Sequence, residues 1–382
     1  VLDNSYGGDE GTAMLEIIHD MAPGADLYFH EGGADLLEFN HAYDDLIAAG
    51  CKVIVDDLGW DNEPFFEDGI VGKHLSSLLS SKDIILISAA GNEAKRHYQG
   101  TFYDDGSGSH DFSRGTSSTS KYLYATLAPG DWLYAVLQWD DAFGSSGNDY
   151  DLALYKKGTS IKLAESTDTQ NGNDDPYEWI DYTNNTSGTQ TVQIEVERYG
   201  GSAKTLELYL WTAGDSVSSA NVVAEDSIYG HPNVKGVMAV AAIDSKDPLW
   251  DTIESFSSRG PTTYRAETRK KPDITGIDNI SVSGAGDFDP PFSGTSAAAP
   301  GIAAIAAQLW GAFPDQKGSA IRDAILASAA DLGTPGFDYV FGHGRADAAK
   351  AYRLLSGIAS PAKSSEKAIT SFVLKGVAGT IN

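Results

Sequence analysis

The sequence predicts an α/β protein whose parallel sheet is interrupted by an all-β segment. Apolar strand-like stretches alternate with helical stripes over roughly the first hundred residues, and the same alternation returns after about residue 214. Such alternation is typical of strands that pair in parallel and are covered by helices. We therefore assign residues 1–108 and 214–356 to one discontinuous α/β domain, residues 109–213 to an inserted β-sandwich, and residues 357–382 to a C-terminal tail.

The first part of the α/β domain contains three predicted helices and three predicted strands. Residues 11–22 place Met14, Ile17, Ile18 and Met21 on one helical stripe, which Pro23 and Gly24 end. The other predicted helices cover residues 36–50 and 71–81, and the predicted strands cover residues 25–32, 52–59 and 83–90.

The middle segment follows a different pattern. Residues 191–196 alternate polar and apolar side chains with period 2, and similar short runs occur between turn clusters at 121–139, 149–158 and 204–211. This pattern predicts a sandwich of antiparallel strands. After the segment, residues 234–243 predict a buried strand, and residues 293–313, 319–329 and 345–355 predict helices.

Composition excludes several classes of protein. The 382 residues include 27 basic and 54 acidic side chains, for a net charge of −27, which argues against binding to nucleic acids or to anionic membranes. No apolar run approaches the ~18 residues that a membrane helix needs. Cys51 is the only cysteine, so no internal disulfide can form.

The acidic composition predicts a soluble protein in a secreted or extracytoplasmic setting. The chain opens on VLDNSYGGDEG without a starting Met, which we interpret as the mark of processing. This interpretation admits a cleaved upstream fragment as a partner.

One candidate for chemistry is Ser296, which opens the helix at 293–313. Its segment reads Phe-Ser-Gly-Thr-Ser-Ala-Ala-Ala-Pro. A serine at a helix N-terminus lies beside unpaired backbone N–H groups, which can stabilise an oxyanion when the hydroxyl attacks a carbonyl. The alternative is an ordinary N-cap serine with small neighbours.

A second candidate is Asn92, which follows the apolar strand at 83–90. A side-chain amide at the carboxyl end of a strand can donate a further hydrogen bond to an oxyanion. The alternative is a simple Gly-Asn turn formed by Gly91 and Asn92.

These segments together resemble the subtilisin-like serine peptidases, the subtilases. GTSAAAP resembles their nucleophile motif and SAAGN the strand that bears their oxyanion Asn, while FSSRGP, KPDI and FGHGRADAAKA resemble further segments. The resemblance implies a three-layer α/β sandwich and hydrolysis of protein or peptide substrates through an acyl-enzyme, with no required cofactor. It also implies that Ser296 is the nucleophile and Asn92 the oxyanion donor.

The sequence departs from the subtilase pattern at the base. Glu10 stands where subtilases have the His of a helix-opening HGT motif. The sedolisins, or serine-carboxyl peptidases, share the fold and use a Glu, which lies twelve residues before an APGA turn, as Glu10 does before Ala22 (22 − 10 = 12). The sedolisin helix also carries an Asp four residues after the Glu, and this chain has Met14 there.

A carboxylate base at position 10 needs a group that tunes it. Glu has a pKa near 4.3 and is a poor acceptor for a serine proton unless burial or a like charge raises that pKa. Asp56 and Asp57 end the strand at 52–59, and we select Asp57 as the partner of Glu10. The alternative is that at least one of these two side chains faces solvent or caps a turn.

Other acidic and imidazole groups remain open as alternatives. Asp3 superficially resembles the N-terminal catalytic Asp of subtilases but lies too near Glu10, and Asp9 is interpreted as a helix N-cap. His19, His231 and His343 are interpreted as structural, although recruitment of a base His from elsewhere stays open.

Two further alternatives concern metal binding and loss of catalytic activity. Acidic clusters in the β-segment, at 140–141, 148–151 and 174–175, permit structural calcium, with simple solvation as the alternative. The replaced His and Met14 permit a catalytically inactive binding or scaffold protein. A serine peptidase with a Ser296, Glu10, Asp57 and Asn92 centre is the selected hypothesis.

Overall fold

The computed structural model of the chain describes residues 1–357, except 6–7, 114–118, 214–216, 218–220 and 266. The predicted C-terminal tail therefore lies outside the described residues, apart from Gly357.

The described residues form six α-helices and fourteen strands. The helices are α1 (Glu10–Met21), α2 (Leu36–Ala48), α3 (Ile70–Ser81), α4 (Thr295–Ala312), α5 (Gly318–Ser328) and α6 (Ala348–Leu355). The strands are β1 (Val53–Asp56), β2 (Ile85–Ala89), β3 (His97–Thr101), β4 (Leu123–Leu127), β5 (Trp132–Trp139), β6 (Asp149–Lys156), β7 (Lys162–Ser166), β8 (Tyr177–Thr183), β9 (Gln190–Gly200), β10 (Thr205–Thr212), β11 (Val237–Asp244), β12 (Thr262–Tyr264), β13 (Glu267–Arg269) and β14 (Ile274–Asp278).

A parallel sheet with the strand order β1-β2-β11-β14 forms the centre of the α/β part. Its strands are apolar on both faces, as expected for a sheet that is covered on both sides. Ile85 and Ile87 of β2 pack with α4, α5 and α6, whereas Leu86 packs with α2 and α3. Helices therefore cover both faces, and the subtilisin-like three-layer sandwich predicted from the sequence is confirmed.

Helix α4 is the most deeply buried of the helices in the described residues. Its alanines, among them Ala298, Ala299 and Ala306, are fully buried against the sheet. Small side chains allow the helix backbone to approach the strands closely, and Gly276 of β14 lies directly against Ala298. Helix α1 packs beside α4 through Ala13, Met14 and Ile17.

Two antiparallel sheets occupy the segment between the two halves of the α/β part. One has the order β3-β10-β5-β8 and the other β4-β9-β6-β7, and they enclose a common apolar core that includes Trp139 and Tyr150. Strand β3 begins at His97, so this pair of sheets takes in residues that precede position 109. The division into domains at 109 and 213 stays a prediction.

The strand predicted for residues 25–32 is wrong. Its segment makes one isolated bridge, between His30 and Asp3, and is otherwise irregular. A strand requires a neighbour along its length, and the neighbouring sheet edge, β1, does not reach this segment. Leu27 and Phe29 are only half-buried and Tyr28 is exposed, so the apolar composition of this segment reports neither strand pairing nor full burial.

Within the described residues, no helix combines the length and the apolar character needed to cross a membrane.

Candidate active site

Polar side chains meet where the parallel strands end. Asp57 follows β1, Asn92 follows β2, and the N-terminus of α4 brings Ser296 to the same edge of the sheet. Helix α1 begins at Glu10 and packs beside α4. Carboxyl ends of parallel strands gather at one edge, which is where open α/β sheets bind their ligands.

Ser296 is held at the second position of α4 by an unusual backbone turn. It is 9% exposed, and the preceding helix cap, Gly294, has φ of 103°. That φ favours glycine, and a Cβ at this position would lie 3.2 Å from Nδ2 of Asn92. The Gly294 N–H donates to Oδ2 of Asp278 at 3.0 Å, which anchors the turn to the end of β14.

Asn92 is oriented by the first residue of α4. Its Oδ1 accepts hydrogen bonds from the backbone N–H of Thr295 at 3.0 Å and from the Thr295 hydroxyl at 3.1 Å. Because a backbone N–H can only donate, this assigns the oxygen of the amide and leaves Nδ2 as the remaining donor. The Ser296 N–H, which belongs to the first turn of α4, is the neighbouring donor that the helix leaves unpaired.

Asp57 contacts both Glu10 and Ser296, the other two residues predicted to take part in proton transfer. Its carboxyl group makes side-chain hydrogen bonds with Glu10 and with Ser296. Some of Asp57 is accessible in the cleft, yet protein atoms surround most of the carboxyl group. Desolvation, followed by the charges of Glu10 and Asp56, raises the pKa of Asp57 well above its usual range, and the Ser296 hydroxyl opposes that rise.

The direction of these effects assigns the proton. Because its pKa is raised, Asp57 is favoured to hold a proton, and its carboxyl group lies within hydrogen-bonding reach of both Glu10 and Ser296. The three side chains thus form one chain of hydrogen bonds, from Ser296 through Asp57 to Glu10. Glu10 is connected to Ser296 through Asp57 in this arrangement.

Asp56 has a separate, buried environment that sequence reasoning missed. Its carboxylate accepts hydrogen bonds from Tyr43 at 2.5 Å, from His231 Nε2 at 2.8 Å and from Ser88 at 2.9 Å. The need for such partners could be anticipated, since a carboxylate that ends an apolar strand must be satisfied when buried. The identity of the partners could not, because His231 is 175 residues away along the chain.

The remaining candidates from the sequence lie elsewhere or play other parts. Asp9 occupies the predicted N-cap position of α1, although its side chain makes no cap hydrogen bond there. Met14 is buried on the inner face of α1. His19 is paired at 3.6 Å with Asp20 on an exposed surface, and the ring of His343 contacts Phe337.

A cavity of about 820 Å³ adjoins the carboxylates. Glu10 and Asp57 line it at one end, and the rest of its wall comes from α1, α2, β1 and residues 25–32. Apolar side chains dominate this wall. β1, which is an edge strand of the parallel sheet among the described residues, and residues 25–32 both contribute to the lining.

Two aspartates of the acidic clusters in the β-segment are paired with basic side chains, whereas Asp149 has a buried Oδ1 without a hydrogen-bond partner. Asp141 is paired with Lys204 at 2.7 Å and accepts a hydrogen bond from Asn148, and Asp140 is paired with Arg265 at 3.1 Å. Calcium at these clusters stays a prediction.

Comparisons with known proteins agree with this fold. The model of the subtilase family matches residues 144–344, just over half of the chain. The serine protease AprX of Bacillus subtilis (strain 168) is 30% identical over 189 residues, which are 44% of this chain and 42% of AprX. A thermostable alkaline protease of Halalkalibacterium halodurans is 28% identical over 166 residues, 44% of this chain and 39% of that protein.

A solved structure extends the comparison to most of the fold. The CspB protease of Clostridium perfringens superposes with a TM-score of 0.57 and 15% identity, covering 85% of this chain and 71% of that chain. At that identity the likeness concerns the fold alone.

A parallel sheet with a serine at the start of its central helix, beside an oriented asparagine amide, defines a protein of the subtilisin-like serine peptidase class. The chain belongs to the subtilase family. It spans less than half the length of the two curated relatives that it matches.

Proposed function

We propose that the chain is a serine endopeptidase that hydrolyses peptide bonds through an acyl-enzyme, with a Ser296–Asp57–Glu10 centre in place of a Ser–His–Asp triad. The observation that carries the proposal is the hydrogen-bond chain through Asp57. It gives the serine hydroxyl a route to a carboxylate, as nucleophilic catalysis requires.

Proton transfer runs along that chain. The Ser296 hydroxyl gives its proton to Asp57 as its oxygen attacks the substrate carbonyl, and Asp57 gives its own proton to Glu10. Glu10 becomes neutral, Asp57 remains protonated, and the substrate carbonyl oxygen takes up the negative charge. Asp57 then gives one proton to the leaving amine and regains one from Glu10, which yields the acyl-enzyme, and water releases the acyl group by the same route.

The oxyanion is stabilised by the two donors at the N-terminus of α4. The two donors are Asn92 Nδ2, from the loop after β2, and the Ser296 N–H of α4. Because Thr295 binds the amide oxygen of Asn92, that oxygen is directed away from the anion. Removal of one such donor typically costs ~3 kcal/mol of transition-state stabilisation. The positive end of the α4 dipole acts in the same direction.

The chemistry of the base predicts an acidic working range. A pair of coupled carboxyl groups is active with one proton between them, and it gains a second proton at low pH and loses the first at high pH. One relative is named an alkaline protease; this chain has a Glu where the subtilase pattern has a His, and its activity is expected to fall at alkaline pH.

Labelling by a serine-directed fluorophosphonate tests the proposal. The wild-type chain is expected to be labelled between about pH 3 and pH 7, and Ser296→Ala is expected to lose the label. Ser283→Ala, which changes an exposed serine, is the matched control and should be labelled as wild type. A wild-type chain that remains unlabelled at every pH would instead identify a catalytically inactive scaffold.

The cavity beside β1 supports an upstream strand as a partner. Among the described residues, strand β1 is paired only with β2, and the cavity is lined both by β1 and by residues 25–32. An unpaired edge beside an apolar slot is suited to the addition of a strand. We therefore include in the proposal a fragment from upstream of this chain, cleaved but retained, that pairs with β1.

Hydrogen exchange tests this partner. The amides of residues 53–56 are expected to exchange more slowly when a peptide encoded upstream of Val1 is supplied, whereas those of β14 should be unaffected. Equal exchange of β1 with and without the peptide would contradict it.

The proposal places the protein outside the cytoplasm, as a secreted peptidase of serine-carboxyl type with an inserted β-sandwich. The net charge of −27 supports that setting. Detection of the protein in the culture supernatant of its native host, and its absence from the cytoplasmic fraction, is the expected outcome.

A further inference from the structure

A buried cluster of polar side chains adjoins the active site, and the proton transfer proposed above does not use it. Asp56 is 8% exposed and His231 is 1% exposed. Nε2 of His231 lies 2.8 Å from Oδ1 of Asp56, and the Ser88 hydroxyl donates to the same oxygen at 2.9 Å. The Tyr43 hydroxyl donates to the other oxygen, Oδ2, at 2.5 Å. Both oxygens of the carboxyl group are therefore bound.

The partners of Asp56 identify it as a hydrogen-bond acceptor. Desolvation, followed by the charge and the hydrogen bond of Asp56, raises the pKa of Tyr43 well above its usual range, so the phenol keeps its proton and donates it. The Ser88 hydroxyl also donates. A carboxyl group that only accepts is in its ionised form, because the protonated form would have to donate an O–H. The hydrogen bonds therefore assign a negative charge to Asp56.

The surroundings of His231 assign its tautomer. Within the described residues, the second ring nitrogen, Nδ1, is buried without a hydrogen-bond partner, and the ring packs against Phe39 with 5.0 Å between the ring centroids. A proton on Nδ1 would be a buried donor without an acceptor, which typically costs ~1–3 kcal/mol. The proton therefore belongs on Nε2, where it is donated to Asp56, and the ring is neutral. The cluster thus retains the negative charge of Asp56.

The geometry of the strand brings this charge close to Asp57. The two aspartates are consecutive at the end of β1, and side chains alternate along an extended strand, so the two carboxyl groups lie on opposite sides. On its own side, Asp57 faces Glu10 of α1 and Ser296 of α4. The charge of Asp56 is buried and therefore little screened. It raises the pKa of Asp57, after the larger effects of desolvation and of Glu10.

We propose that Asp56 and His231 are positioning residues of the peptidase centre: His231 fixes the Asp56 carboxylate by a hydrogen bond, and the charge of Asp56 keeps the shared proton on the Asp57–Glu10 pair. The proposal rests on the Ser296–Asp57–Glu10 centre proposed above. Loss of the shared proton would add a further negative charge beside Asp56, which a buried anion disfavours. The centre therefore keeps its proton, and its activity, to a higher pH than it would without Asp56.

A further carboxyl group faces the cluster from the loop after β1. Glu63 is close enough to His231 for their charges to interact. Its two oxygens accept the Val71 N–H at 2.9 Å and the Gly72 N–H at 3.4 Å, in the first turn of α3. Those two N–H groups, rather than His231, satisfy the Glu63 carboxyl group.

Two cations contact the backbone just after His231. Lys271 and Arg269 each donate to a main-chain carbonyl within three residues of it. Lys271 is paired with Asp273 and Arg269 with Asp68, each at 2.7 Å. The charges of both cations are thus compensated by carboxylates other than Asp56.

The pH dependence of kcat/KM in Asp56→Asn tests the charge. This substitution keeps the size of the side chain and removes its charge, so the alkaline limb of the profile is expected to move to lower pH by about 1 unit. Asp44→Asn is the matched control, because its carboxylate also contacts a histidine, His74, at 3.1 Å, but near the surface of α2 and α3; its profile should equal that of wild type. An Asp56→Asn variant that is less stable but has an unchanged profile would overturn the proposal, because a purely structural cluster would behave in that way.

Two substitutions at His231 separate its hydrogen bond from its packing. His231→Gln can place an N–H where Nε2 now lies and is expected to keep the wild-type profile, whereas His231→Leu removes the donor and is expected to move the profile in the same direction as Asp56→Asn. An unchanged profile in His231→Leu, or one that moves to higher pH as loss of a cation would cause, would overturn the role assigned to His231. If Asp56→Asn or His231→Leu does not fold, Tyr43→Phe removes the donor to the other oxygen and is expected to show the same acid shift.

A measurement without catalysis separates this proposal from the peptidase proposal. In Ser296→Ala with ¹³C at the side-chain carboxyl carbon of aspartate, the NMR titration of Asp57 is identified by its absence from Asp57→Asn. Its midpoint is expected to fall by about 1 pH unit when Asp56→Asn is added, whether or not the wild type reacts with a fluorophosphonate. An unchanged midpoint would overturn the proposal even if the wild type is an active peptidase.

Discussion

Oδ1 of Asn92 accepts the backbone N–H of Thr295 at 3.0 Å, and this contact decides which end of the amide faces the nucleophile. The Thr295 hydroxyl makes a second bond to the same oxygen and also accepts the Gly91 N–H at 3.1 Å. One residue therefore fixes both the asparagine and the loop that carries it. The first residue of α4 therefore determines the orientation of Asn92, the oxyanion donor.

Asn92→Leu is expected to lower kcat by ~10²–10³-fold with little change in KM, because the amide donates only to the developing oxyanion. Steady-state kinetics on a quenched, unfolded protein substrate measures this. Asn185→Leu, at an exposed turn, is the control and should be unaffected. If Asn92→Leu and Asn185→Leu had the same effect on kcat and on KM, Asn92 could not be the oxyanion donor.

Thr295→Val keeps the shape of the side chain but removes the hydroxyl. The Gly91 N–H then loses its acceptor, so we expect a loss of ~1–3 kcal/mol in the free energy of unfolding. Because the Thr295 backbone N–H still holds Asn92, the fall in kcat should be smaller than that of Asn92→Leu. Urea denaturation and kinetics on the same samples check both expectations.

Gly294→Ala is expected to impair both stability and activity. The φ of 103° is strained for alanine, and the added Cβ would press on Asn92 Nδ2. A cost of ~1–3 kcal/mol follows from such strain. Gly311→Ala is the matched control in the same helix; with open space at its Cβ it should stabilise the protein by ~0.5–1 kcal/mol. Thermal unfolding of the pair measures the contrast, and equal effects would contradict it.

Glu178 provides a prediction on pH and stability. Burial raises its pKa to about 7, against 4.5 for the free group, although Ser166 and Gln170 donate to it. The folded state therefore holds the proton more tightly than the unfolded state. The stabilisation is complete below pH 4.5 and is lost as the pH rises through about 7.

Glu178→Gln removes this titration. The Tm of the variant relative to wild type is expected to increase between pH 4 and pH 8, as measured by scanning calorimetry. Asp181→Asn, on the exposed side of the same strand, should show no such trend. A Tm difference that is constant with pH would show that Glu178 does not titrate in this range.

Local signals sufficed for the α/β elements. The stripe of Met14 and Ile17 predicted α1, and the apolar run before Asn92 predicted β2, because both have the period of the structure they form. Residues 25–32 were predicted wrongly because strand formation depends on a neighbouring strand, which the composition of the segment does not report.

The site was harder to predict from the sequence, because it depends on contacts between residues that are far apart along the chain. The sequence predicts Asp57, rather than Asp56, as the partner of Glu10. Asp57 lies beside Glu10 and Ser296, and its role in catalysis stays a prediction. Because side chains alternate along an extended strand, Asp56 points to the opposite side from Asp57, where it contacts Tyr43 and His231. Of these two partners, His231 is 175 residues away along the chain.

Removal of either carboxyl group should break the proposed proton route. Glu10→Gln and Asp57→Asn preserve shape but cannot pass the serine proton to a carboxylate, so each is expected to lower kcat by ~10²–10⁴-fold. Asp20→Asn, exposed at the end of the same helix as Glu10, is the control and should retain activity. Unchanged kcat in Glu10→Gln would exclude Glu10 as the acceptor.

The pH dependence of kcat/KM tests the carboxylate centre most directly. For the wild-type chain, measured from about pH 3 to about pH 9, we expect a maximum at acidic pH and a decline toward alkaline pH as the Asp57–Glu10 pair loses its shared proton. A rate that rises steadily into the alkaline range, with the same profile in Glu10→Gln, would contradict the proposal that this pair accepts the proton of Ser296.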